Sequence, residues 1–221
     1  MKNMTQKIAP WALWISALAI RKSLNVSTII APHFVIVTPL LGSFLSAASV
    51  CTTFTALTFV NMFLYRLPIT LGIPTFFATL SWTSAHRSTK SQQLLDAALH
   101  LLVPIVCMAL FIAHPTGNGA IAYTFYWIIP MLAWAARHVT NTSMSFIFAL
   151  QSTFVAHAVG SVIWLYTVPM TSEQWLALIP LVAIERLTIA GSSSLLYEVG
   201  KRCVAWMGYK KTSQATAAIK I

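Results

Sequence analysis

Six long apolar runs alternate with short polar stretches along the chain, at about 26–45, 47–65, 94–113, 119–136, 143–168 and 174–199. Each is close to the roughly 20 residues a helix needs to cross a bilayer. The breaks between the later runs are turn-forming: His114-Pro115-Thr116-Gly117-Asn118-Gly119, Asn141-Thr142-Ser143 and Pro169-Met170-Thr171-Ser172-Glu173. The predicted fold is therefore all-α: a polytopic integral membrane protein with six transmembrane helices.

Two stretches depart from this pattern. Residues 67–84 are apolar but short, begin with Pro68, Gly72 and Pro74, and are flanked by Arg66 and Arg87. A full crossing would put one arginine on the far side, so the stretch is expected to be re-entrant or interfacial; the alternative is a short seventh span. Irregular backbone at that depth must be buried in protein or line a cavity. At the start, Ile8 to Ile20 is too short to span, and Arg21 and Lys22 follow it directly. With Trp11 and Trp14 it reads as a retained interfacial helix. The expected organisation is an N-terminal interfacial segment (1–23), a six-helix membrane domain (24–200) and a mobile, basic cytoplasmic tail (201–221).

Charge orients this arrangement. With the amino terminus in the cytoplasm, every Lys and Arg of the 14 except Arg186 falls on the cytoplasmic side, and none falls outside. That is the asymmetry of the positive-inside rule, and it predicts both termini cytoplasmic. The likeness to a bacterial cytoplasmic (inner) membrane protein follows from it.

Composition narrows the function classes. Charged residues make up 8% of the chain against 57% hydrophobic, and there are four acids, Asp96, Glu173, Glu185 and Glu198. A soluble domain carries about a quarter charged residues. The net charge of +10 sits in juxtamembrane loops, where it serves topology and contact with membrane lipids, so no nucleic-acid partner is expected. Cys51, Cys107 and Cys203 form no CxxC motif and imply neither disulfides nor a metal site. The chain lacks HExxH, GxSxG and Walker sequences. Scattered histidines support neither haem nor zinc, and no cofactor or metal is expected.

Candidate chemistry lies in the last two runs. Glu185 and Arg186 are placed near the middle of the last span, where charge is expensive and faces the bundle interior or water. Adjacent residues on a helix point about 100° apart and do not readily pair with each other, so each is expected to find its own partner. His157 lies at mid-depth on the preceding helix. Thr153, His157, Ser161 and Trp164 recur on one face of that helix, and Glu185, Ile189 and Ser192 on one face of the next. A polar seam between the two is the predicted site. Asn118, Tyr126, Trp127 and Trp164, with His114, Tyr123, Tyr166 and Trp175, mark the outer edge as a second binding region able to stack a flat ring. The ordinary aromatic belt of the interface is the competing account for those rings.

Leu71-Gly72-Ile73-Pro74-Thr75 and the 157–166 stretch His-Ala-Val-Gly-Ser-Val-Ile-Trp-Leu-Tyr, within six spans and a chain of this size, resemble the substrate-binding S components of energy-coupling-factor vitamin transporters. The resemblance implies binding and uptake of a small metabolite such as a vitamin or its precursor, with transmembrane and ATPase partner subunits supplying the energy. The residues themselves, by buried charge, helical spacing and aromatic placement, mark His157, Glu185, Arg186, Trp164, Tyr126, Trp127 and Asn118 as the expected ligand contacts. Family members dock through small-residue faces near the cytoplasm, whereas Ala109 and Ala113 form such a pair at the outer end of their span. Two other readings stand beside it. One is a structural or assembly subunit of a larger membrane complex. The other is an intramembrane enzyme in which Glu185, Arg186 and His157 converge.

Overall fold

A computed structural model describes residues 72–83, 89–140 and 145–218, and every element among them is helical. The 1–23 segment and the predicted spans 26–45 and 47–65 lie outside the described residues. In chain order the elements are α1 (Ile73–Thr83), α2 (Lys90–Ala113), α3 (Pro115–Asn118), a 3₁₀ segment (Ile121–Trp127), α4 (Ile128–Thr140), α5 (Ser145–Thr167), α6 (Ser172–Ala177) and α7 (Ile179–Ala218). Among the described residues three helices are long and apolar enough to cross a membrane: Lys90–Ala113, Ser145–Thr167 and the Ile179–Cys203 part of α7.

The predicted span 119–136 is not one helix. Its first half is the 3₁₀ segment, and α4 begins only at Ile128. Pro130 gives the reason: it has no N–H for the Tyr126 carbonyl, so an α-ladder cannot run upstream across it. The tighter coil stacks residues three apart. It turns Tyr123, Thr124 and Trp127 into the protein, each at most 2% exposed.

Proline also shapes α2. Pro104 offers no N–H to the His100 carbonyl, and the preceding turn, Ala98–Leu102, widens to a π-helix in which the Val103 N–H reaches Ala98 O. The start of α2 is set by a capping box. Gln92 N–H donates to Thr89 Oγ1 (3.3 Å), and Thr89 N–H donates to Gln92 Oε1 (3.2 Å). The same device, Thr171 with Gln174, starts α6.

Helix α5 is the hub, packing against α1, α2, α4 and α7. Half of its span is buried, against 22% for α7, so among the described residues α5 is central and α7 peripheral. Burial on several sides explains why α5 shows no amphipathic stripe. Helix α1 covers eleven residues, about 16 Å at 1.5 Å per residue, which is half a hydrocarbon thickness. Its residues Ala78 to Thr83 are all buried. It is tied to α5 where Ser152 Oγ donates to Ala78 O (3.0 Å), and it sits close because Gly160 faces Pro74 without a side chain between them.

The two turns meet at one end of the bundle, where Ser172 Oγ donates to Thr116 O (2.8 Å) and Tyr166 Oη donates to Leu110 O (2.9 Å). Lys90 and Arg137 lie toward the opposite ends of α2 and α4, and Lys201 and Arg202 at the opposite end of the Ile179–Cys203 part of α7.

Two expectations change. The last span begins at Ile179 rather than 174, because α6 occupies Ser172–Ala177 and breaks from α7 at Leu178. Glu185 and Arg186 therefore lie within two turns of the end of their helix, not at its middle. Helix α7 continues past Lys201 to Ala218. The alanines, lysines and glutamine after Lys201 favour helix, and no proline interrupts them.

Candidate functional site

A polar seam between α5 and α7 is built around Arg186 rather than around the predicted face of Glu185, Ile189 and Ser192, of which only Ile189 is buried. The Arg186 side chain is 11% exposed and reaches inward, where Nη1 donates to Thr153 Oγ1 on α5 (3.3 Å). Nη2 pairs with Glu185 Oε1. This corrects the expectation that adjacent residues could not pair. The two backbone positions do diverge, but two long side chains close the angle at their tips. Glu185 then lies outside the seam, with its side chain 51% exposed.

His157 joins Arg186 from α5. Its ring is enclosed by Tyr123 (centroids 5.5 Å apart), Phe154 (6.3 Å) and Tyr126 (6.4 Å). The Arg186 charge acts through space on both His157 and Tyr123. Tyr123 Oη lies 3.3 Å from Ser161 Oγ, and Tyr126 Oη donates to Ile179 O (2.6 Å), which locks the 3₁₀ segment onto both helices. Two polar atoms here, Arg186 Nε and His157 Nε2, are buried with no hydrogen-bond partner among the described residues. Buried polar groups in native proteins nearly always have partners; among the described residues Gln151 Oε1, Trp127 Nε1 and Trp175 Nε1 share this state elsewhere in the bundle.

The other predicted site residues are placed elsewhere. Trp127 is fully buried, but in a solid aromatic core: the Phe111 ring stands edge-on to Trp127 (5.2 Å) and to Trp175 (5.2 Å) and stacks with Tyr123 (5.6 Å). Trp164 is 53% exposed and points away from the seam, although it shares a helix with His157. Asn118 is exposed at the end of α3. Trp175, grouped with the aromatic belt by one reading, is 1% exposed and belongs to the core. The turn end does carry an open cleft of about 570 Å³, lined by His114, Thr116 and residues 165–171. Of the aromatic residues expected at that edge only Tyr166 borders it, its ring edge-on to His114 at 5.0 Å. Beside it, Glu173 is exposed, and a hydrogen bond from the Thr171 side chain holds its carboxyl below the usual carboxylate range.

A second polar cluster was not anticipated. Arg137 Nη2 donates to both Asp96 oxygens (2.8 and 3.0 Å), and Trp134 Nε1 donates to Asp96 Oδ2 (2.9 Å). His100 Nδ1 faces Asp96 O (2.8 Å) and Oδ1 (3.1 Å), so it carries the proton there, and Nε2 accepts from Ser81 Oγ (2.6 Å). The Arg137 guanidinium lies 4.2 Å from the centre of the Phe148 ring. The order Ser81–His100–Asp96 is that of a charge-relay triad. Every member is buried to 1% exposure or less, and the carboxylate is already held by an arginine and an indole. The group is a clasp joining α1, α2 and α4. The sequence signal for it was the pair Asp96 and His100 at i and i+4 inside an apolar run, which demands partners. Arg137 was counted only as a topological charge.

No protein-family model, curated protein or solved structure matches the chain.

Proposed function

We propose that this protein binds a small metabolite within the membrane and takes part in its uptake, with His157 and Arg186 as the recognising groups. The observation that carries the reading is the pair of buried, unpartnered nitrogens, Arg186 Nε and His157 Nε2, beside the rings of Tyr123, Tyr126 and Phe154. A ligand with a planar ring and a hydrogen-bonding edge matches that set: the aromatic faces take the ring and the nitrogens its polar atoms. Glu185 supports from outside by fixing the guanidinium. The seam lies less than two turns from the end of α7 that bears the turns, so a solute has a short path to it. The chain has no phosphate-binding loop, and a separate ATPase module supplies the energy in this reading.

Native mass spectrometry of the gently purified protein tests it. A stoichiometric molecule of metabolite size, retained by the wild type and lost in His157→Ala and Arg186→Gln, supports the proposal. A protein that is empty under all gentle conditions, and that no candidate solute stabilises against heat, overturns it.

A second reading, a subunit of a larger membrane complex, is favoured by the solid aromatic core where a pocket was expected and by the sparse coverage of α7. The enzyme reading loses ground, because Glu185 faces away from His157 and no hydrogen bond links His157 to either charged residue among the described residues.

A further inference from the structure

Fourteen Lys and Arg stand against four acids in this chain, and the structure shows how each acid is committed. Glu173 lies at the turn end, and Glu185 pairs with Arg186 within two turns of that end of α7. At the opposite end of the bundle, Asp96 is buried and already holds Arg137. Glu198 is the other acid there, and Lys201 Nζ lies 3.2 Å from both its oxygens. Against these two, the described residues place six cations toward that end: Lys90 on α2, Arg137 on α4, and Lys201, Arg202, Lys210 and Lys211 on α7. Two carboxylates cannot neutralise six cations. The segments outside the described residues contain no Asp or Glu and seven further Lys and Arg. Wherever they lie, they bring this end no carboxylate.

Two of the unmatched cations have a defined level. Lys90 is the first residue of the apolar span Lys90–Ala113, and Arg202 is the last but one of the span Ile179–Cys203. Both are exposed. That level is where hydrocarbon gives way to the phosphate layer. Lys210 and Lys211 follow Cys203 by seven and eight positions, about 10–12 Å further along α7, which is about one Debye length.

We propose that this end of the bundle binds anionic phospholipid headgroups, such as those of phosphatidylglycerol. A second copy of this chain would bring the same basic surface and repel it. An acidic soluble protein would approach from the aqueous side. Lys90 and Arg202 instead stand at the edge of the hydrocarbon on two helices that both pack on α5, and a layer of phosphates meets the two at once. Anionic lipid attracts basic residues placed just beyond a membrane span in this way. The proposal holds whether or not the seam takes a solute.

The test uses the full-length chain in nanodiscs of equimolar phosphatidylcholine and phosphatidylglycerol, extracted into mild detergent, with the retained lipids counted by mass spectrometry. Phosphatidylglycerol is expected to be retained in preference. Lys90→Gln and Arg202→Gln should each lower that preference about fivefold, the ratio given by about 1 kcal/mol per basic residue at an anionic surface. Both positions are exposed, so the helical signal should persist. Raising salt from about 0.1 M to about 1 M shortens the screening length from about 10 Å to about 3 Å and should weaken the preference in the unaltered chain. Glu173→Gln, at the turn end, should leave it unchanged. Inorganic phosphate should not displace the lipid, whose acyl chains hold it in the bilayer. Equal retention of the two lipids overturns the proposal. So does a preference that neither substitution nor salt reduces, or one that Glu173→Gln reduces as strongly. Displacement by inorganic phosphate also overturns it, because the site is then one for a soluble anion.

Discussion

Arg137 Nη2 lies 2.8 Å from Asp96 Oδ1, with both side chains fully removed from solvent, and through this pair α4 is fastened to α2. Removing one partner of such a pair leaves an uncompensated buried charge, at about 3–5 kcal/mol. Asp96→Asn and Arg137→Met are each expected to lower the unfolding temperature in detergent sharply. The double variant Asp96→Asn/Arg137→Met is expected to be less damaged than the sum of the singles. Additive losses in that cycle would show that the two groups act independently.

Ser81 is expected to contribute stability and nothing more. Ser81→Ala removes the hydroxyl that donates to His100 Nε2 and should destabilise by about 1 kcal/mol, or somewhat more if the nitrogen stays unsatisfied. A fluorophosphonate probe is expected to leave the wild-type protein unlabelled, since the serine is 1% exposed. Labelling that vanishes in Ser81→Ala would make the clasp a reactive site.

The turn end admits no added bulk at two glycines. A Cβ on Gly117 would stand 1.9 Å from the Phe111 carbonyl oxygen, a backbone atom that cannot swing aside, and one on Gly119 would meet Ser172 Oγ at 2.4 Å. Gly117→Ala is expected to cost about 1–3 kcal/mol or more and to loosen the contact of α2 with the aromatic core. Gly119→Ala should be milder because a serine rotamer can yield. Gly191, inside α7 and with no described atom within 4 Å of an added Cβ, is the control, and Gly191→Ala should be neutral or stabilising by up to about 1 kcal/mol. Circular-dichroism melts of the three variants give the ranking directly.

Within the seam, ligand retention should separate residues by direction rather than by sequence proximity. His157→Ala and Arg186→Gln are expected to abolish solute retention while keeping the helical signal. Trp164→Ala and Asn118→Ala, exposed and turned elsewhere, should retain wild-type binding within about a factor of two, as surface substitutions usually do. Loss of binding in Trp164→Ala would move the site to the outer face of α5.

What could be read in advance was whatever depends on one helix at a time. Apolar length marks the spans of α2, α5 and α7, and helical spacing on α5 lines up Thr153, His157, Ser161 and Trp164, although Trp164 turns outward from that line. What could not be read depends on meetings between helices. Arg137 looked like a loop charge because its depth depends on where α4 starts, and that start depends on Pro130. Trp127 and Trp175 looked like belt or pocket residues because only the fold stacks them on Phe111. Glu185 and Arg186 looked like separate problems because backbone direction says nothing about where long side chains end.

The π turn at Ala98–Leu102 holds one residue more than an α turn would. Each residue of an α-helix advances the face by about 100°. Loss of a single residue there would restore α geometry and rotate everything on the Lys90 side of the turn by that angle relative to Phe111 and the core. Asp96 would swing away from Arg137 and toward the outside of the bundle. The clasp thus tolerates many exchanges of one apolar side chain for another along α2, but no change in the count of residues between Asp96 and Pro104.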